Sequence, residues 1–187
     1  MDDIFTKSWH VDNFARLEET VCCMHEFEFI SEFPVPPVKL FILLMTPAFQ
    51  EAMALRFGAL EVSANEIGRT AEVVKMKIEL LDSGWGLMGA VIKGKPLRAT
   101  MLYDWNMSDM TGNWNRYFID HGRNVEIEGL IRVEAMGDEA CRMTESGRVE
   151  IKLPLVGKGI EKKLAKKLED IQPKRVDFIL NRLEIKT

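Results

Sequence analysis

The spacing of apolar positions changes character twice along this chain, and the clearest change lies near its C-terminal end. Residues 148–153 alternate, with Val149, Ile151 and Leu153 on one face and Arg148, Glu150 and Lys152 on the other. A period of two marks a half-buried strand. After Pro154-Leu155-Val156-Gly157 the period lengthens: Ile160, Leu164, Leu168 and Ile171 recur at helical spacing, followed by Val176, Ile179, Leu180 and Leu183. This is one apolar stripe on an otherwise charged helix. A stripe of that length has to lie on a large apolar surface, and a curved antiparallel sheet built from the preceding residues is the surface expected. Pro173 interrupts the pattern, and the stripe skips from Ile171 to Val176. A mid-helix proline costs about 3 kcal/mol, so a kink or two abutting helices is expected there.

The remaining pattern is mostly of period two. Residues 21–33 read as a strand with Cys23, His25, Phe27 and Phe29 on one face and Glu26 and Glu28 opposite; Pro34 ends it. Pro36-Pro37 suit a helix start, predicting a helix over 38–45, and Pro47 starts a second to about 57 with Gly58 as its cap. Strands are then expected at 60–64, with a turn at 65–68, and at 71–80, 98–106, 113–119, 124–136 and 140–153. A connection at 82–97 holds a short apolar helix over 87–92. Strands in hairpin succession with a helix packed on one face make an α+β domain. Six consecutive antiparallel strands twist strongly enough to curl round the final helix. Residues 1–19 read as an N-terminal extension whose Ile4, Phe5, Trp9 and Phe14 lack clean periodicity, and 20–187 as a single domain.

Composition narrows the function classes. A net charge of -4 on 187 residues argues against a general nucleic-acid binder, whose footprint is usually basic. Three cysteines, two of them adjacent (Cys22, Cys23), make no disulfide framework and fit a reducing cytoplasm. The N-terminus lacks the basic and apolar regions of a signal peptide, and the run 38–45 is far shorter than the ~20 residues that span a bilayer, so a soluble protein is expected. The motif G84-W-G-L-M-G89 satisfies a dinucleotide-binding spacing. Its context fails, because the preceding strand alternates with lysines and Pro96 stops any helix too soon for a βαβ unit. No C-x-x-C or H-E-x-x-H spacing supports a metal site, although Cys23 and His25 share a strand face. No catalytic motif, metal site or cofactor is therefore assigned. The lysines at 158, 162, 163, 166 and 167 make a solvated helix face, with transient contact to an anionic membrane surface as the other reading.

Three stretches carry a resemblance: V35-P-P-V-K-L-F-I-L-L-M-T-P-A-F49, L97-R-A-T-M-L-Y-D-W105 and V149-E-I-K-L-P-L-V-G-K-G-I-E161. With the element order over 20–185, they make the chain resemble the START-like, or SRPBCC, helix-grip superfamily. Its members include polyketide cyclases, the birch-pollen allergen and START domains, and the texture is nearest a bacterial branch of unknown function. The resemblance implies a seven-stranded curved antiparallel sheet wrapped round a long C-terminal helix, with two short helices between strands 1 and 2. It also implies an apolar cavity between sheet and helix, and hence binding or carriage of a hydrophobic small molecule such as a lipid or polycyclic compound. The alternative is a cyclase or hydratase acting in the same cavity.

Eleven methionines and ten phenylalanines supply adaptable and bulky interior groups. By strand parity the candidates for the cavity wall are Phe27, Phe29, Met76, Met101, Tyr103, Trp105, Trp114 and Ile131. Two ionisable residues, His25 and Glu145, point by parity into an apolar face. If His25 pairs with Val149, Glu145 falls beside Phe29, and the two could fix the polar end of a ligand through long side chains or a water. A cavity of several hundred cubic ångströms is expected, as for apolar ligand sites generally.

Overall fold

The strands expected from alternation form one antiparallel sheet, and the computed structural model describes residues 23–83, 95–119, 125–151 and 157–185. In chain order the elements are β1 (Cys23–Phe33), α1 (Pro37–Leu44), α2 (Pro47–Arg56), β2 (Ala59–Arg69), β3 (Val73–Asp82), β4 (Leu97–Asn106), β5 (Thr111–Phe118), β6 (Val125–Ala135), β7 (Cys141–Ile151) and α3 (Gly157–Arg182). The sheet runs β1-β7-β6-β5-β4-β3-β2, so the first strand joins the last and the two short helices bridge the two edges. This is the helix-grip arrangement. Among the described residues no single helix is long and apolar enough to cross a membrane. The N-terminal extension, the motif at 84–89 and the helix expected at 87–92 lie outside the described residues.

Both short helices begin where the sequence has proline, at Pro37 and Pro47, the position at which a missing N–H leaves nothing unpaired. Gly58 ends α2 with φ +108°, a conformation that side chains resist. β2 differs from expectation. The stretch 65–68 is not a turn; it continues the strand, with a bulge between Glu66 and Gly68 that leaves Ile67 exposed. Pairing with β3 overrides the local turn signals, and the chain reverses instead beyond Arg69, where Thr70 Oγ1 accepts the Val73 amide at 3.0 Å.

Helix α3 passes through Pro173 as one helix, so the expected break does not occur. Pro173 and Glu169, whose carbonyl loses its amide partner, both lie on the exposed side, where water replaces the missing bond. Among the described side chains of α3, Leu164, Gln172 and Ile179 are buried, and Leu183 is buried just past its end. Inside the sheet, Trp105 is fully buried, stacked on Tyr103 at 5.1 Å and met edge-on by Phe41 of α1 at 5.6 Å. That contact seats α1 on the sheet.

Cross-strand rows explain the curvature. Phe27 pairs with Gly147, Gly147 with Gly129, Gly129 with Trp114, and Trp114 with Tyr103. Two glycines side by side leave no Cβ in the middle of this row, and the rings of Phe27 and Trp114 approach over the gap with centroids 6.4 Å apart. A Cβ on Gly129 would sit 2.6 Å from the Ser146 carbonyl oxygen and 2.9 Å from the Trp114 indole. Glycine is required at this position by close approach, not by φ.

Candidate functional site

Between the sheet, α2 and α3 lies a cavity of about 130 Å³. All seven strands contribute to its wall: Phe27 and Phe29, Ala59, Ile78 and Leu80, Met101 and Tyr103, Trp114 and Arg116, Ile127, and Glu145. Helix α2 adds Gln50, Met53 and Ala54, and α3 adds Leu168, Ile171 and Arg175. The volume is smaller than the several hundred cubic ångströms expected, because Phe27, Trp114 and the α3 side chains fill much of the space under the sheet. A larger open trough of about 1130 Å³ crosses the outer face over Gly129 and Gly147. Four of its charged residues pair with one another, Lys75 with Asp104 at 3.5 Å and Arg148 with Glu128 at 2.7 Å, and it stands open to solvent. The inner cavity, less open and more apolar in its lining, has the better chemistry.

The cavity is mainly apolar, and its charged groups form two buried ion pairs. Glu145 projects inward from β7 and its Oε2 accepts a hydrogen bond from Arg175 Nη1 at 2.6 Å; their side chains are 5% and 17% exposed. The same Arg175 nitrogen lies 3.3 Å from Gln172 Oε1, and Gln172 Nε2 reaches Ser31 Oγ on β1 at 3.4 Å. The second pair joins adjacent parts of the wall: Arg116 Nη2 donates to Asp82 Oδ2 at 2.8 Å. Arg116 also lies over the Phe118 ring at 5.0 Å. Gln50 spends its amide on the Leu44 carbonyl at 2.6 Å, which ties α2 to the end of α1.

Electrostatics distinguish the two arginines. Burial works against the Arg175 cation, but the Glu145 carboxylate more than compensates and holds its pKa above the ordinary guanidinium value. For Arg116 burial prevails over Asp82, and its pKa is lowered. Tyr103 sits in the field of Glu145, Arg175 and Arg116, and burial first, then the Glu145 charge, pushes its phenol well above the usual value. Tyr103 is therefore a neutral hydroxyl at any physiological pH.

The residues singled out from the sequence separate into two groups. Phe27, Phe29, Met101, Tyr103, Trp114 and Glu145 meet at the cavity. Met76, Trp105 and Ile131 are buried in the packed core, off the cavity wall. His25 also stands off it, half-buried on edge strand β1. The register is the one considered above, His25 opposite Val149 and Phe29 opposite Glu145, with no bulge at Gly147. The pairing of His25 with Glu145 is replaced, because Arg175 reaches the carboxylate from the helix. Nor are His25 and Glu145 the only inward ionisable residues: Asp82 continues the column of Val74, Met76, Ile78 and Leu80, and Arg116 lies between Trp114 and Phe118. Strand parity alone was enough to find both. Arg175 was marked by the skip in the helix stripe, since it stands four residues from both Ile171 and Ile179. Among the described residues no cluster of His, Cys, Asp and Glu could hold a metal ion.

Residues 28–183 match the model of a family described as protein of unknown function (DUF2505). The chain belongs to that family. No curated protein matches the sequence. Among solved structures, the Zhui aromatase/cyclase from Streptomyces sp. R1128 is similar at a TM-score of 0.61 and 12% identity, over 87% of this chain and 94% of that one. Norcoclaurine synthase from Thalictrum flavum, in complex with dopamine and hydroxybenzaldehyde, is similar at 0.59 and 12% identity, over 100% and 99%. A START superfamily protein from Mycobacterium smegmatis is similar at 0.56 and 12% identity, over 84% and 98%. At such identities the likeness is one of fold: this DUF2505 chain has the START-like helix-grip fold.

Proposed function

We propose that this protein binds a small hydrophobic molecule, about the size of one ring, in the cavity between the sheet and α3. The observation that carries the reading is the concave space between sheet and helices, walled by aromatic and aliphatic groups with a few fixed polar side chains. That is the composition of a small-molecule site. A volume of about 130 Å³ is close to that of engineered cavities of ~150 Å³ that hold benzene, and is too small for the lipid or polycyclic compound that the resemblance suggested. Phe27, Phe29, Met101, Tyr103, Trp114 and Glu145 are the proposed contacts. The three cysteines, which make no disulfide framework, support a cytoplasmic location.

A cyclase or hydratase acting in the same space is the second reading, favoured by one observation: a neutral phenol and two carboxylate–guanidinium pairs face a single cavity. Binding without chemistry is preferred because each carboxylate is engaged with an arginine, which leaves a general base to be freed before it can act. The test is a thermal-shift and native mass spectrometry screen with single-ring aromatics. At a ligand concentration of 100 Kd the expected stabilisation is about 2.7 kcal/mol. Ala54→Leu, which projects added carbons from α2 into the cavity, should abolish that shift in a folded protein. A protein that shows no adduct and no stabilisation across the panel is not a carrier of this kind.

A further inference from the structure

We propose that the occupant of the cavity carries a planar aromatic ring, laid on a shelf formed by the rings of Phe27 and Trp114; this rests on the cavity reading above. Three aromatic residues of the sheet stand opposite a glycine on the neighbouring strand: Phe27 opposite Gly147, Trp114 opposite Gly129 and Trp105 opposite Gly112. Gly129 and Gly147 belong to inward columns, the first between Ile127 and Ile131, the second between Glu145 and Val149. A Cβ on either would point under the sheet. There it would meet the ring itself, Trp114 Cζ2 at 2.9 Å and Phe27 Cζ at 2.7 Å. Both rings are therefore folded down over the glycines on the inner surface of the sheet. One side of each lies against backbone, and the other is turned to the cavity that both residues wall.

Trp105 shows what such a ring takes as a partner. A Cβ on Gly112 would likewise meet its indole, so this ring lies against the sheet in the same way. Here the chain supplies the cover: Phe41 of α1 meets it edge-on at 5.6 Å, Tyr103 stacks on it at 5.1 Å, and no surface is left exposed. Phe27 and Trp114 lie beside each other at 6.4 Å, with Phe29 5.3 Å from Phe27, and among the described residues no ring of α2 or α3 packs on either. Trp114 keeps 8% of its surface and Phe27 is half-buried. The helices contribute Met53, Ala54, Leu168 and Ile171 to the rest of the wall. An aromatic ring in that space gains edge-to-face or offset contact with two π-faces, a gain that a saturated ring of the same size lacks.

The experiment titrates the full chain with two probes that differ in the ring alone, benzyl alcohol and cyclohexylmethanol, by isothermal titration calorimetry. Wild type should bind benzyl alcohol at least as tightly, although water solvates the aromatic ring better than the saturated one. Phe27→Leu and Trp114→Leu keep an apolar side chain and remove a π-face. Each should lower the ratio of aromatic to saturated affinity by about three- to tenfold. Phe27→Tyr retains the ring and Met101→Leu alters a different part of the wall, so both should keep the ratio within about twofold of wild type. If Trp114→Leu does not fold, Phe27→Leu on the edge strand decides alone. Tighter binding of cyclohexylmethanol by wild type overturns the proposal without any variant. So does a ratio unchanged in the folded leucine variants, or one that falls as far in Phe27→Tyr or Met101→Leu. In those cases the cavity reading stands, because a probe has bound. Failure of both probes to bind wild type overturns the cavity reading and this proposal with it.

Discussion

Replacing Glu145 by leucine isolates the energetics of the polar end of the cavity. Glu145 is almost fully buried and its partner Arg175 is 17% exposed, with 2.6 Å between them. Removing one member of a buried pair leaves the other charge uncompensated and typically costs about 3–5 kcal/mol. Here Gln172 Oε1, 3.3 Å from the same Arg175 nitrogen, remains as an acceptor, and the partial exposure of Arg175 admits water. Both effects place Glu145→Leu at the lower end, about 3 kcal/mol. In a chain of this size each kcal/mol lowers Tm by about 2–4 °C, so the expected fall is about 6–12 °C. The double variant Glu145→Leu/Arg175→Met removes both charges together and should recover most of that loss, because apolar replacement of a buried pair is often neutral or stabilising. Urea unfolding of wild type, both single variants and the double variant gives the coupling energy directly. A single variant within about 1 kcal/mol of wild type, or a double variant no more stable than Glu145→Leu, would refute the account of a buried, mutually dependent pair.

Further expectations follow from the same geometry. Gly147→Ala should destabilise by about 1–3 kcal/mol in denaturant titration, because its Cβ meets the Glu128 carbonyl oxygen and lies 2.7 Å from the Phe27 ring; wild-type stability would show that the sheet yields there. Tyr103 holds its proton more tightly folded than unfolded. Its contribution is complete below the ordinary phenol pKa of about 10 and is lost as pH rises beyond it, so stability should fall in that range and fall less in Tyr103→Phe. Burial likewise pushes the Cys141 thiol up, and its contribution should begin to decline above the ordinary thiol value, a decline absent in Cys141→Ser. Pro173→Ala restores an amide donor for the Glu169 carbonyl on the exposed face of α3 and should stabilise by about 1–3 kcal/mol in denaturant titration; a loss of stability would refute this reading of the missing bond.

Much of the architecture is written in local periodicity. Alternation in β3, β4, β6 and β7 assigns each residue to a face, because successive strand side chains must point oppositely, and it placed Glu145 inside before any partner was known. Prolines at 37 and 47 and glycine at 58 marked helix ends through backbone constraints that act on single residues. Local signals misled at 65–68, where hydrogen bonds to β3 hold Glu66 and Gly68 in a bulged strand, and at Pro173, which α3 passes through as one helix. The site itself required the third dimension. Arg175 and Glu145 are 30 residues apart in the chain, and nothing local to either says that α3 crosses β7 at that point. The same holds for Arg116 and Asp82, 34 residues apart, whose meeting depends on the register of β3 on β4 and of β4 on β5. Cavity volume is the most remote quantity of all. It is the small difference between the space enclosed by the curved sheet and the side chains that fill it, and the same inward pattern of Phe27, Trp114, Leu168 and Ile171 is compatible with a dry core or a wide pocket. Parity chooses which side chains face inward; how closely α2 and α3 settle onto the sheet determines how much room they leave.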